Sequence, residues 1–301
     1  MTVESWEGLL ARLVRPRSPY LLYRGHGQYE WKLECSLARA LRRQALSGGP
    51  ITIDLLESMV HSDEMDSHVH RTEKVLLRIF MEKAESLGLA NLPTAADRLG
   101  WWELMQHHGV PTRLLDWTRS PFIALWWALR HAPPDDQDSA LWILDSRNSW
   151  LGYVTQMSAL DAGEWSGFLA DRAWQNHVAE RAIAERRMVP LVIRPRLSVP
   201  RVVAQQSVMT LTPVVQSPTG FRHHVFATIT TRVRIRAEWR PEIERYLDDV
   251  IASPFEVLRD LDSVGQWLTG AVSTNRAVTP DEAVIQALME RRGLRPPDTI
   301  S

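Results

Sequence analysis

Cysteine is almost absent from this chain. Its 301 residues include one, Cys35, so no internal disulfide can form, and that usage suits a reducing cytoplasm. Long apolar runs are missing as well. No stretch reaches the ~18 residues that a membrane span needs. Met1 to Glu7 has neither the basic start nor the apolar run of a signal peptide, so a cytoplasmic protein with no membrane contact is expected. Excess charge of one sign is lacking too: the net charge is −1, which gives no bulk pull toward nucleic acid. There is no nucleotide P-loop, dinucleotide glycine triplet, zincin motif or Gly-x-Ser-x-Gly elbow. Cys35 has no neighbours that would make it a nucleophile. The His68-Val69-His70 pair has no third ligand at workable spacing, so no metal is expected.

What is present suits a large α+β domain. Apolar residues make up 45% and charged residues 24%, ordinary for a globular protein with a sizeable core. Thirteen tryptophans should lie mostly in that core. Ser5 can cap a first helix that carries Trp6, Leu9, Leu10, Leu13 and Val14 on one face. Tyr20 to Tyr23 reads as a short buried strand ending at Arg24-Gly25. Ser36 to Leu46 is helical, and Ile53 to Leu89 holds two or more helices. Thr94 should cap a helix ending at His108-Gly109, where glycine suits the C′ position. Helix 121–131 is apolar all round and therefore central. Ala140 to Leu144 is a buried strand, and residues 146–188 form a helical lid or insertion. The runs 191–193, 201–211 and 225–236 read as strands, with Gln205 and Gln206 mid-strand. Amphipathic helices follow at 241–250 and 255–268, then a short helix at 280–292 and a tail. Basic clusters occur at Arg12, Arg15, Arg17, at Arg39, Arg42, Arg43 and at Arg232, Arg234, Arg236. Solvated faces account for them, and a phosphate-binding surface is the alternative.

The densest chemistry lies between Leu104 and Pro121. Gln106, His107 and His108 arrive together, and Gly109 and Pro111 then bend the backbone. Thr112, Arg113, Asp116, Trp117 and Thr118 follow in one short loop. His107 and His108 sit at a helix's carbonyl end, where they either cap carbonyls or face a cleft. Arg113 and Asp116 either pair with each other to fix the loop, or hold a phosphate and a ribose hydroxyl respectively. Trp117 can stack on a flat ring. Arg24, a charge ending an apolar strand, either meets an anion or pairs with an internal carboxylate. Gly25 and Gly27 let backbone amides approach a phosphate closely.

The run Gln106-His107-His108-Gly109-Val110-Pro111-Thr112-Arg113-Leu114-Leu115-Asp116-Trp117-Thr118 resembles the central motif of the FRG-domain family. Tyr23-Arg24-Gly25 matches the triplet that names the family. Trp31 and Leu33 follow it, and Ser36-Leu37-Ala38-Arg39 is similar to the family's second half-motif. Arg201 to Gln205 is similar to its late strand, although Ser207 and Met209 stand where the family tends to have Gly and Phe. The resemblance covers roughly residues 18 to 270, leaving 271–301 as a C-terminal helix and tail. It implies a relative of the ADP-ribosyltransferase fold: a small mixed or antiparallel central sheet surrounded by helices. It also implies the settings in which such domains occur, bacterial toxins and phage defence.

Two cations, a ring-stacker, hydroxyls and a carboxylate suit a dinucleotide better than a neutral sugar or a peptide. The resemblance makes NAD the expected substrate. Arg24, Asp116 and Gln205 are then the catalytic candidates. Tyr23, Arg24, Gly25, His107, His108, Thr112, Arg113, Trp117 and Thr118 are the NAD-binding candidates. Related transferases use a late-strand Glu where this chain offers Gln205 or Gln206. The acceptor would be a nucleic acid or a protein, and a cognate antitoxin or defence-system partner is implied. Two other readings stand beside it: a non-catalytic module for a nucleotide or nucleic acid, and a scaffold held by an Arg113–Asp116 pair.

Overall fold

Ser5 begins the chain's first element as expected. Its hydroxyl accepts from the Gly8 N–H at 3.1 Å, and α1 (Trp6–Val14) buries Trp6, Leu9 and Leu13, whereas Leu10 is half-buried and Val14, at the helix end, is exposed. The computed structural model describes residues 4–14, 20–47, 68–131, 137–146, 175–176, 179–180, 190–193, 195, 203–212, 215–217, 220–222, 230–251 and 257–258. The insertion expected over 146–188 falls largely outside these residues, as do the boundary at 270 and the last helix and tail. The chain divides into two compact units, Met1–Val250 and Ile251–Ser301. In the second, Val257 and Leu258 are helical and buried.

Six strands of the first unit form one sheet: β1 (Leu21–His26), β2 (Leu114–Thr118), β3 (Ser139–Asp145), β4 (Leu191–Ile193), β5 (Ser207–Leu211) and β8 (Thr230–Ile235). Their order is β4-β5-β2-β1-β3-β8, and every neighbouring pair is antiparallel. A separate hairpin joins β6 (Val215–Ser217) to β7 (Gly220–Arg222). The helices are α2 (Ser36–Ser47), α3 (His68–Ser86), α4 (Arg98–His107), α5 (Pro121–Arg130) and α6 (Arg240–Val250). The architecture is therefore the expected α+β, with an antiparallel sheet.

Alternation along the strands builds two cores. Leu114, Leu191, Ile193, Met209 and Leu211 pack with Leu99, Trp101, Trp102 and Met105 of α4. Leu22, Leu115, Trp117, Leu144, Val192 and Val208 form a second cluster with Leu33. The register puts the two sets on opposite faces, as the period of two requires.

Pairing is uneven at the middle of the sheet. β1 pairs with β3 along the whole of Leu21–His26, and β2 with β5 along the whole of Leu114–Thr118. β1 and β2, though adjacent, meet in register only at Tyr23 and Thr118. The two halves of the sheet diverge from that point. Backbone polar groups in the gap need other partners, and a side chain supplies one: Arg24 Nη1 donates to the Asp116 carbonyl at 2.7 Å.

Several expectations change. The Leu114–Thr118 segment is a central strand, because its neighbours β1 and β5 pull it into the ladder. Asp97, two residues before the first core position Leu99, caps α4 instead of Thr94, accepting from Gly100 N. Gln205 and Gln206 lie in a turn before β5, and Gln206 takes a positive φ of 47°. α5 does bury Ile123, Ala124, Leu125 and Ala128, but Trp126 and Trp127 stay half-buried. The Arg130 guanidinium lies 4.9 Å from the Trp126 ring centre, so that face of the helix is not core.

Candidate functional site

The divergence of β1 and β2 opens a cavity of about 710 Å³, large enough for a nucleotide-sized ligand. Among the expected residues, Tyr23, Arg24, Gly25, Asp116, Trp117, Thr118 and Gln205 line it. Arg24 and Asp116, 92 residues apart in sequence, thus share one cavity. His107, His108, Thr112 and Arg113 do not line it.

Arg24 enters from β1. Its Nε donates to His26 Nε2 at 3.1 Å and its Nη1 to the Asp116 carbonyl. Burial pushes the guanidinium down to about 10, with the Asp116 charge working against the shift and Arg39 adding to it. Arg24 is still a cation at neutral pH. His26 behaves differently. Burial, then the Arg24 charge, push its imidazole down to about 3; hydrogen bonding to the Trp31 backbone opposes this, and Arg39 and Arg232 add to it. The ring is neutral and therefore has a single acceptor nitrogen. Trp142 Nε1 also approaches, 3.2 Å from His26 Nδ1, but the charged donor Arg24 is the stronger claimant.

This gives a stability prediction. An unfolded histidine titrates near ~6.5, and folded His26 near about 3. Between those values the unfolded chain holds a proton that the folded chain refuses. Stability is complete above the upper value and is lost as pH falls toward the lower one, by up to ~1.4 kcal/mol per pH unit. Urea unfolding between pH 7 and 4.5 should show this slope, and His26→Gln should remove it. An acid limb unchanged in His26→Gln would contradict the assignment.

Asp116 is exposed on β2 and tied by a relay that explains much of the central motif. The Thr112 hydroxyl donates to Gln106 Oε1 at 2.6 Å. That fixes the amide, so Gln106 Nε2 donates to Asp116 Oδ1 at 2.7 Å. Thr112 is itself clamped to α2: its N–H donates to Ser36 Oγ at 2.9 Å, and the Ser36 hydroxyl donates to its carbonyl at 3.1 Å. Thr112 therefore positions a carboxylate.

Arg113 does not pair with Asp116. Its Nε and Nη2 donate to Glu73 Oε1 and Oε2 of α3, each at 2.6 Å, and both side chains are buried. His107 and His108 are exposed at the end of α4, their rings 5.1 Å apart. Trp117 is 2% exposed, and its Nε1 donates to Thr210 Oγ1 at 3.0 Å. It borders the cavity but cannot offer a face to stack on, and Tyr23 is equally buried. Gly25 has a packing role: a Cβ there would meet the Ala124 carbonyl of α5 at 1.9 Å.

Thr118 donates to the Gln205 carbonyl at 2.6 Å and accepts from Ser120 N at 3.0 Å, so it holds the β5 turn against β2. Gln205 Nε2 is buried with no acceptor among the described residues. Leaving such a donor unpaired costs roughly 1–3 kcal/mol.

Sequence reasoning gave no site role to Lys32, Trp127 or His131, which also line the cavity; Arg39 and Arg43, of the basic cluster with a phosphate-binding alternative, and Trp31, of the family resemblance, line it as well. Trp31 is 44% exposed, and Trp127 is stacked on His131 at 5.1 Å. These are the rings a ligand can reach. Cys35 is fully buried, and burial pushes its thiol up to about 11, which keeps it inert.

No curated protein and no solved structure matched the chain. The family model of the FRG domain matches residues 19–137, a span that runs from β1 through α5. All of the cavity's lining residues except Gln205 and Ser207 fall inside it. The resemblance carried by Tyr23-Arg24-Gly25 and by the Gln106–Thr118 run is thereby borne out: this chain carries an FRG domain, and its cavity is built almost wholly from that domain.

Proposed function

We propose that the cavity between β1 and β2 binds NAD and that the chain is an ADP-ribosyltransferase-like enzyme acting as a bacterial toxin or phage-defence effector. The observation that carries this reading is the meeting of Arg24 and Asp116 in one nucleotide-sized cavity, with the cation kept charged. Arg24 holds the anionic part of the substrate. Trp31 or Trp127 offers a ring face. As the bond from ribose C1′ to nicotinamide breaks, nicotinamide leaves with the electron pair and positive charge builds on the ribose. Asp116, aimed by Gln106, stabilises that charge. The acceptor's nucleophile then bonds to C1′, and its proton passes to solvent or to the carboxylate.

One observation favours a second reading, binding without turnover. The β5 turn presents Gln205, an amide that carries no negative charge, and Asp116 already spends one oxygen on Gln106.

The experiment uses NAD labelled in the adenosine half, with DNA, RNA and protein acceptors, and follows nicotinamide release. Asp116→Asn should keep NAD affinity and lower turnover by about 10²-fold or more. Arg24→Gln should weaken binding itself. Expression of the wild-type chain should arrest growth, and Asp116→Asn should relieve the arrest. NAD binding with no release under any acceptor would select the binding module. No binding would refute both readings.

A further inference from the structure

Two arginines of the cavity, Arg24 and Arg39, are held by backbone carbonyls and, among the described residues, form no ion pair. Arg24 spends Nη1 on the carbonyl of Asp116, not on its carboxylate. Arg39 likewise spends Nη1 on the carbonyl of Glu34, at 2.6 Å. Arg43 is exposed one helical turn further along α2, and the i, i+4 spacing puts it on the same face as Arg39. Both line the cavity with Arg24 and Lys32. Among the described residues none of the three arginines has a carboxylate within ion-pair distance. The carboxylates that line the cavity, Glu30, Glu34 and Asp116, are thus not ion-paired to these guanidiniums.

Like charges gathered at a half-buried wall repel each other, and an anion placed between them removes that cost. The neighbouring groups feel this field. The Arg39 charge lowers both Arg24 and His26, and Arg232 of β8 lowers His26 as well. The imidazole, being neutral, adds no charge of its own to the wall. A backbone carbonyl fixes the direction of the Arg24 and Arg39 guanidiniums while leaving other N–H donors unspent, and the planar fork suits paired phosphate oxygens.

We propose that Arg24, Arg39 and Arg43 form a diphosphate subsite, so that the ligand is a compound with two linked phosphates, a phosphate-linked dinucleotide or a nucleoside diphosphate, its phosphates lying between β1 and the first turns of α2. This rests on the nucleotide reading of the cavity and assigns the end at which the phosphates bind.

Isothermal titration of the full chain tests it with three probes: inorganic pyrophosphate, ADP-ribose and phosphate-free nicotinamide riboside. Arg39→Gln and Arg43→Gln should each weaken pyrophosphate and ADP-ribose by about 10-fold, the value of one lost charged contact, and leave nicotinamide riboside unchanged. Arg43→Glu, at an exposed position that spares the fold, should weaken both phosphate probes further. Raised salt should weaken pyrophosphate more than nicotinamide riboside. The subsite is overturned if pyrophosphate does not bind, if it binds the variants as it binds wild type, or if nicotinamide riboside weakens equally. NAD turnover with no loss in the Arg39 and Arg43 variants would leave the transferase reading standing and end this one. The expected pyrophosphate pattern with no NAD turnover would do the reverse.

Discussion

Glu73→Ala should cost this protein about 3–5 kcal/mol of stability, among the largest losses available to a single side chain outside the apolar core. The guanidinium of Arg113 would be left 5% exposed with its partner gone, and water could not take the partner's place. Arg113→Ala should cost a similar amount by stranding the Glu73 carboxylate, which is 3% exposed. The bidentate geometry, 2.6 Å at both contacts, ties α3 to the start of β2. The Arg113 carbonyl meanwhile accepts from Thr212 N at 3.0 Å. The pair therefore anchors the strand that carries Asp116 without touching the cavity. Replacing both residues together, Glu73→Leu with Arg113→Met, should recover most of the loss, because a matched apolar pair avoids the desolvation that the ions suffer. Denaturant midpoints of the four proteins decide this. Single variants within 1 kcal/mol or so of wild type would mean that the pair is not desolvated. Ligand affinity per folded molecule should not change in the double variant, and a specific loss there would return Arg113 to the binding set.

How much of this was legible beforehand depends on the range of the interaction involved. Local signals carried well. Ser5 does cap α1, and Gly109 does follow α4 with a positive φ of 77°. Each depends on chemistry within four residues. The Leu114–Thr118 strand was hidden because Gly109 and Pro111 announce a turn just before it, and its pairing partners lie at Tyr23 and at Ser207–Leu211. The partner of Arg113 was out of reach for the same reason, being 40 residues upstream on another helix. The amphipathic pattern of α2 shows that Arg39 and Arg43 share a face. It does not show that the face meets a cavity, which depends on how two strands diverge. Nothing local marks the turn at Gln205 and Gln206, since glutamine seldom takes a positive φ. The central motif is thus a site and a clamp together. Asp116 faces the cavity, whereas Gln106, Thr112 and Arg113 hold its strand in place.

Gly25→Ala should lower stability by about 3 kcal/mol or more, at or beyond the upper end of ordinary overpacking. The reason is backbone against backbone. An added Cβ would stand 1.9 Å from the Ala124 carbonyl oxygen and 2.6 Å from Ala128 N. Those atoms are the i and i+4 acceptor and donor of one turn of α5, so the methyl would wedge into a helical hydrogen bond. No rotamer change relieves that contact; α5 or β1 has to move. A midpoint drop on the order of 10 °C is expected in thermal melts. Ala124→Gly in the same chain should not rescue it, because the clash is with the carbonyl and not with the Ala124 methyl. The outcome separates two roles for this glycine. If its use were to let a phosphate approach the backbone, Gly25→Ala would melt like wild type and lose only ligand affinity. If α5 must lie directly on β1, the fold loosens first. The cavity should then suffer as a consequence, because Ile123, Ala124 and Trp127 of that helix line it alongside Arg24. The tight seating of α5 on one strand is what leaves the cavity room beside it, so the stability of the packing and the shape of the site should fail together.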